Sequence, residues 1–96
     1  MRLTVEQRRG IVDIVLAELG ERAIVSLFGS RLDENRKGGD VDLLIESETE
    51  VSVLSKARLK MRLEALLNLP VDLVVIKAGQ QLSAFKRLAL RQGERL

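Results

Sequence analysis

The sequence predicts a mixed α/β (α+β) fold. A small mixed β-sheet of at least three strands is expected, with helices flanking it. Helix-forming segments alternate along the chain with three short runs rich in Val, Ile and Leu. The 96 residues are 46% hydrophobic and 31% charged, which suits one small globular core rather than a disordered chain. No repeat or low-complexity linker divides the sequence, so we expect residues 1–96 to form a single domain.

The first two elements are a helix and a buried strand. Thr4 is followed three residues later by Gln7, which is the capping-box pattern of a helix start. Apolar residues then recur as far as Leu19, and Gly20 is a typical helix end. Residues 22–28 are a short, mainly apolar run between glycines, which predicts a strand buried in a sheet.

A polar segment and two further strands are predicted in the middle and later parts of the chain. Residues 29–40 are mainly polar and carry two glycines directly before Asp40, so they predict a loop. Residues 41–46 and 70–76 consist mainly of Val, Leu and Ile, and they predict the second and third strands.

The two remaining segments predict helices. Residues 57–63 alternate with a period of two, which on pattern alone would indicate a strand. Their residue types are strong helix formers, the run continues through Leu67, and Pro70 marks a stop, so a helix is the better interpretation. A final helix is predicted over residues 80–91, after Gly79.

The absence of two residue types restricts the possible chemistry. The chain has no Cys and no His, which excludes disulfide frameworks, thiolate metal sites and imidazole bases. Any catalysis must therefore use carboxylates, hydroxyls, amines and bound ions. No stretch approaches the roughly 18 consecutive apolar residues of a membrane span, so we expect a cytoplasmic protein without membrane association.

The charged and aromatic residues say little in favour of nucleic-acid binding. The formal net charge is only +2, and with two Phe, no Trp and no Tyr the chain lacks the stacking platforms of single-strand binders. Two basic clusters indicate either a solvated helical surface or a patch that faces a polyphosphate or an acidic partner. They are Lys56, Arg58, Lys60 and Arg62, and Lys86, Arg87, Arg91 and Arg95.

Three aspartates are expected to converge at one edge of the sheet. The connection from the second to the third strand is long and helical, so these strands can be parallel neighbours. Asp40 and Asp42 would then lie beside Asp72, because all three are near strand starts. If the first strand is antiparallel to the second, its end at Gly29 and Ser30 reaches the same edge.

These residues suit a metal ion and a phosphate. Asp40 and Asp42 are two positions apart, so on a strand they face the same way and can share a cation, with Asp72 as a third ligand. A hard cation such as Mg²⁺ prefers oxygen ligands and offsets the repulsion among carboxylates. Gly29 and Ser30 offer backbone N–H groups and a hydroxyl to a phosphate beside the metal.

Three segments together form a recognisable pattern. They read Leu-Phe-Gly-Ser-Arg at 27–31, Gly-Asp-Val-Asp-Leu-Leu-Ile at 39–45 and Val-Asp-Leu-Val at 71–74. This pattern resembles the polymerase-β-type nucleotidyltransferase superfamily, and more narrowly the minimal nucleotidyltransferases, in which Gly-Ser, a loop of about ten residues, Asp-x-Asp and a later acidic residue recur. The resemblance covers essentially the whole chain and implies the polymerase-β-like fold.

The resemblance also implies a role for each motif residue. Asp40, Asp42 and Asp72 would be catalytic and would ligate Mg²⁺, with two ions promoting in-line displacement at the α-phosphate of ATP. Nucleotide binding would fall to three further residues, Gly29, Ser30 and Arg31, of which Arg31 would offset triphosphate charge.

Short members of this family resemble the antitoxin half of HEPN/minimal-nucleotidyltransferase toxin–antitoxin pairs. The resemblance therefore implies a HEPN-type toxin as partner and transfer of AMP from ATP to a Tyr hydroxyl of that toxin. The alternative is a catalytically inactive module that masks a toxin sterically.

Two helical surfaces are candidates for association with a partner or a second copy, with packing against the sheet as the alternative for both. One is the leucine-rich surface of Leu59, Leu63 and Leu67, and the other consists of Leu82, Phe85, Leu88 and Ala89.

Overall fold

The computed structural model describes residues 3–28, 41–79 and 93–96. A mixed four-stranded sheet in these residues has the order β3-β2-β1-β4, with β1 antiparallel to β2 and β4, and β2 parallel to β3. The predicted fold class and the predicted strand directions are confirmed. The elements are α1 (Val5–Leu19), β1 (Ile24–Phe28), β2 (Val41–Ser47), α2 (Val53–Leu67), β3 (Val71–Lys77) and β4 (Glu94–Arg95).

Both described helices begin and end at residues with a clear capping role. The Thr4 hydroxyl accepts the Gln7 N–H, and the Gln7 side chain accepts the Thr4 N–H, so the predicted capping box is confirmed. Gly20 follows α1 at a φ of 99°, a backbone region that favours glycine. At α2, the Ser52 hydroxyl accepts the Ser55 N–H, and Asn68 in the left-handed region ends the helix.

Several predicted boundaries shift by one to four residues. The first strand starts at Ile24 rather than at residue 22, because residues 21–22 form the turn that follows α1. The third strand starts at Val71 rather than at residue 70, because Pro70 has no backbone N–H to donate to a sheet. The helix predicted from residue 57 begins four residues earlier, at Val53. Residues 29–40 and 80–91, predicted as a loop and a helix, lie outside the described residues.

Both described helices pack on the same face of the sheet. The alternate residues of β1, β2 and β3 that point to this face form one buried cluster with residues of α1 and α2. The members with no exposed surface at all are Ile11, Val15, Val41, Leu43, Ile45, Leu59 and Leu63. A smaller cluster on the opposite face is centred on Leu44 and Ile76, with Phe28 and Val74 against it.

The predicted association surface on α2 is therefore wrong. Leu59 and Leu63 are fully buried and Leu67 nearly so, because these three residues form the side of α2 that packs on the sheet. The second predicted surface, around Phe85, lies outside the described residues. No helix within residues 3–28, 41–79 and 93–96 is long and apolar enough to cross a membrane.

Candidate active site

Three strands meet at the edge of the sheet where the aspartates were predicted to converge. In the parallel pair β2–β3, Asp42 is the direct partner of Asp72. In the antiparallel pair β1–β2, Phe28 is the partner of Asp42. Because neighbouring strands lie about 4.8 Å apart, the two carboxylates start from adjacent backbone positions. The predicted convergence of Asp42 and Asp72 is confirmed.

Both aspartates occupy the face of the sheet opposite the helices. Side chains alternate along a strand, and Val41 and Leu43 on either side of Asp42 point into the buried core under α1 and α2. The same alternation applies to Asp72, whose neighbours Val71 and Leu73 are core residues. Asp42 is half-buried and Asp72 is exposed, so a ligand can reach the pair from solvent.

Two hydrogen bonds fix the starts of the strands that carry the aspartates. The Val41 N–H donates to the Pro70 carbonyl over 2.9 Å, which ties the start of β2 to the start of β3. The Val71 N–H donates to the Glu64 carboxylate over 2.8 Å, which ties β3 to the last turn of α2. Sequence reasoning missed Glu64, because no periodicity or motif marks a helical glutamate that reaches the next strand.

The described carboxylates fit part of a divalent-cation site. Two adjacent aspartates with access to solvent supply the hard oxygen ligands that Mg²⁺ prefers. The third predicted ligand, Asp40, lies outside the described residues, and within the described ranges no group of three or more acidic side chains is close enough to hold a metal. The metal-ligand roles of Asp40, Asp42 and Asp72 remain predictions.

The predicted phosphate-binding residues Gly29, Ser30 and Arg31 also lie outside the described residues. Their nearest described neighbour in the sequence is Phe28, which is at the aspartate edge as the partner of Asp42. A separate cleft of about 760 Å³ lies at the other ends of β2 and β3, near Thr49 and Gly79. The aspartate edge is therefore the candidate site because of its chemistry, and not because of cavity size.

A family model described as "Polymerase beta, Nucleotidyltransferase" matches residues 13–96, which include β1, β2, β3 and both described aspartates. The chain belongs to this nucleotidyltransferase family. The resemblance predicted from the motifs is thereby confirmed.

Two relatives support the same assignment for this nucleotidyltransferase. It is 39% identical over 84 residues to "Protein adenylyltransferase MntA" of Thermococcus cleftensis, covering 80% of this chain and 85% of the relative. It is 29% identical to a solved structure described as a minimal nucleotidyltransferase, with a TM-score of 0.74 over 95% of this chain and 90% of the other.

A further solved structure shows the fold alone. It is the complex of the tri-AMPylated Shewanella oneidensis HEPN toxin with MNT antitoxin, matched with 18% identity and a TM-score of 0.71 over 94% of this chain and 68% of the matched chain.

Proposed function

We propose that this nucleotidyltransferase is a Mg²⁺-dependent adenylyltransferase that transfers AMP from ATP to a Tyr hydroxyl of a HEPN-type toxin, and so acts as an antitoxin. The observation that carries the proposal is the direct pairing of Asp42 with Asp72 beside the end of β1. Residues 1–96 would act as one minimal catalytic domain in the cytoplasm, where Mg²⁺ and ATP are available.

The acidic residues would hold the metal ions and assist the acceptor. Asp40, Asp42 and Asp72 would ligate two Mg²⁺ ions, which when bound neutralise charge on the attacking and leaving oxygens of an in-line displacement. Asp72 would also receive the proton of the acceptor hydroxyl. A bond forms between the hydroxyl oxygen and the α-phosphorus, the bond from the α-phosphorus to the bridging oxygen breaks, and pyrophosphate leaves.

The residues after β1 would hold the rest of the nucleotide. Gly29 and Ser30 would donate hydrogen bonds to the β- and γ-phosphates, as free N–H groups at a sharp bend do in other phosphate sites. Arg31 would offset the charge of the triphosphate.

The partner and the transferred group are supported by the relatives. The Thermococcus cleftensis relative is named a protein adenylyltransferase, and the Shewanella oneidensis complex pairs an MNT antitoxin with a tri-AMPylated HEPN toxin. Both names agree with AMP as the transferred group and a protein as the acceptor.

Labelled ATP tests the reaction. We incubate the chain with Mg²⁺, a HEPN-type protein and ATP labelled at either the α- or the γ-phosphate. The HEPN-type protein is then analysed for label and by mass spectrometry. We expect label from the α-phosphate only, with a mass increase of one or more AMP groups on Tyr. Label from the γ-phosphate would indicate a kinase and would contradict the proposal.

Steric masking is the competing function, and stoichiometry separates the two. A catalyst inactivates many toxin molecules per copy, and the toxin stays inactive after separation. Masking needs at least one bound copy per toxin and ends on dissociation. A toxin that regains full RNase activity after separation, with its mass unchanged, would favour the masking module.

A further inference from the structure

The solvent-facing side of α2 carries an apolar stripe. Leu54 and Met61 are 66% and 71% exposed, and Ala57 and Ala65 on the same side are exposed as well. Spacings of three and four residues place these four side chains in one row along the helix, over roughly 16 Å. The row lies on the side of α2 away from its buried leucines, so the sheet does not cover it.

Basic side chains border this stripe on both sides. Lys60 lies on one side, and Arg58 and Arg62 lie on the other. Both arginines reach Glu18 of α1, over 3.2 and 3.9 Å, yet more than half of each side chain stays exposed. The acidic residue of α2, Glu64, is hydrogen-bonded to the Val71 N–H. The face is therefore apolar along its centre, and the exposed basic side chains along its borders outnumber the two nearby carboxylates, Glu18 and Glu64.

We call this surface the outer face of α2; it consists of the apolar row Leu54, Ala57, Met61 and Ala65 and the bordering Arg58, Lys60 and Arg62. Its charge and its apolar row together determine which kind of partner fits it. A second copy docked helix to helix would bring two sets of basic residues together, which opposes association. A nucleic acid would satisfy the basic borders but would leave the central apolar row without a partner. An amphipathic helix with acidic borders satisfies both, and the two alanines leave room for close helix packing.

The position of α2 connects this face to the candidate active site. The helix ends at Leu67, and a short connection leads directly to the start of β3, where Asp72 is the second residue. A partner that lies along α2 therefore extends to the end of the sheet that carries Asp42 and Asp72. Asp42 and Asp72 face the other side of the sheet, so an acceptor hydroxyl of the docked partner would reach them around this end of the sheet. Docking on α2 would raise the effective concentration of that hydroxyl at the site.

We infer that the outer face of α2 docks an amphipathic helix with acidic borders on the protein that accepts the nucleotide. The identity of that protein rests on the proposed function. The docking itself does not require transfer, so it can be measured with a chain that carries Asp42→Asn.

Binding of a purified HEPN-type partner to the Asp42→Asn chain, measured by titration calorimetry, tests the inference. Adding Met61→Glu should weaken binding roughly tenfold to a hundredfold, because one large apolar side chain is lost from the contact and a negative charge faces acidic residues. The matched control is Val5→Glu, which makes the same charge change at an equally exposed apolar residue of α1, 69% exposed, and should leave binding unchanged. Lys60→Glu should also weaken binding and reduce its dependence on salt.

The outcomes for docking and for the proposed function are distinguishable. Binding that survives both Met61→Glu and Lys60→Glu, or no binding of the partner at all, overturns the docking face. Loss of binding in both variants supports it, even if the unmodified chain transfers no AMP, a result that would overturn the proposed function alone. Two other results also overturn the docking face: a homodimer in analytical ultracentrifugation that Met61→Glu abolishes, or RNA binding that depends on Lys60 but not on Met61.

Discussion

Asp42 on β2 and Asp72 on β3 are direct partners in a parallel strand pair, although thirty positions separate them in the sequence. Like charges at paired positions repel, and strand pairing alone gives no reason to place them there. A bound cation, as proposed for this site, would attract both carboxylates and offset their repulsion. The α2 crossover brings the two residues together, so the helix serves the site as well as the core.

The first prediction concerns the Asp42→Asn variant. Nucleotidyl transfer should fall by more than about a hundredfold. Loss of a residue that only hydrogen-bonds to a metal ligand typically lowers metal affinity or activity roughly 10- to 100-fold, and loss of a ligand itself should cost more. The free energy of unfolding without metal should stay the same or rise by up to about 0.5 kcal/mol, because one of two like charges is removed. Transfer assays and urea denaturation measure the two effects.

Glu46→Gln is the matched control for Asp42→Asn. Glu46 lies on the same strand and the same face as Asp42, and it is likewise half-buried, but its partner in β3 is Ile76. Transfer by this variant should stay near that of the unmodified chain. An equal loss in both variants would show that charge on β2, rather than metal binding at Asp42, controls the activity.

Features with a local cause were predictable from the sequence. The Thr4–Gln7 capping box could be predicted from its residue pattern alone. Helix α2 could also be predicted, because helix propensity outweighed the two-residue alternation at 57–63. The pairing of Asp42 with Asp72 followed from the helical crossover between their strands. The roles of Gly29, Ser30, Arg31 and Asp40 remain predictions.

Features that depend on tertiary contacts were not predictable. The two-residue strand β4 is too short to carry a pattern, and its pairing with Ser26 and Leu27 defines it. Which side of α2 faces the sheet was also open, since Leu59 and Met61 are both apolar and only packing makes one buried and the other exposed.

The second prediction is a pH dependence that arises at Glu18. Hydrogen bonds from Arg58 and Ser55 hold the pKa of the Glu18 carboxyl below its ordinary value of 4.5. The stability that the ionised carboxylate contributes is therefore present above pH 4.5 and is lost as the pH falls through the lowered pKa. Glu18→Gln should lower Tm at pH 7, and the difference from the unmodified chain should shrink as the pH falls towards 3.

Asp13→Asn is the matched control for Glu18→Gln. Asp13→Asn removes an exposed carboxylate from the same helix and should change Tm little at pH 7. A Tm difference between Glu18→Gln and the unmodified chain that stays constant from pH 7 to pH 3 would show that the ionised carboxylate contributes nothing.

The third prediction concerns the contact between α1 and α2 at Gly10. A Cβ at Gly10 would lie 2.8 Å from Cδ2 of Leu66, which is 41% exposed and can move aside. Alanine favours the helix by about 1 kcal/mol over glycine, and displacement of Leu66 offsets part of this gain. Gly10→Ala should therefore stabilise the chain by less than about 1 kcal/mol, and by the full amount in a Leu66→Ala background. Equal gains in the two backgrounds, measured by urea denaturation, would contradict the contact.

The fourth prediction is that Glu64 positions the start of β3. Glu64→Ala removes the acceptor of the buried Val71 N–H without lowering helix propensity, and it should reduce the free energy of unfolding by about 1–2 kcal/mol. Since Asp72 follows Val71 directly, nucleotidyl transfer should fall as well. Glu64→Gln keeps an oxygen acceptor and should recover most of both losses in urea denaturation and transfer assays. If Gln is as harmful as Ala, the carboxylate charge rather than the hydrogen bond to Val71 is what this position supplies.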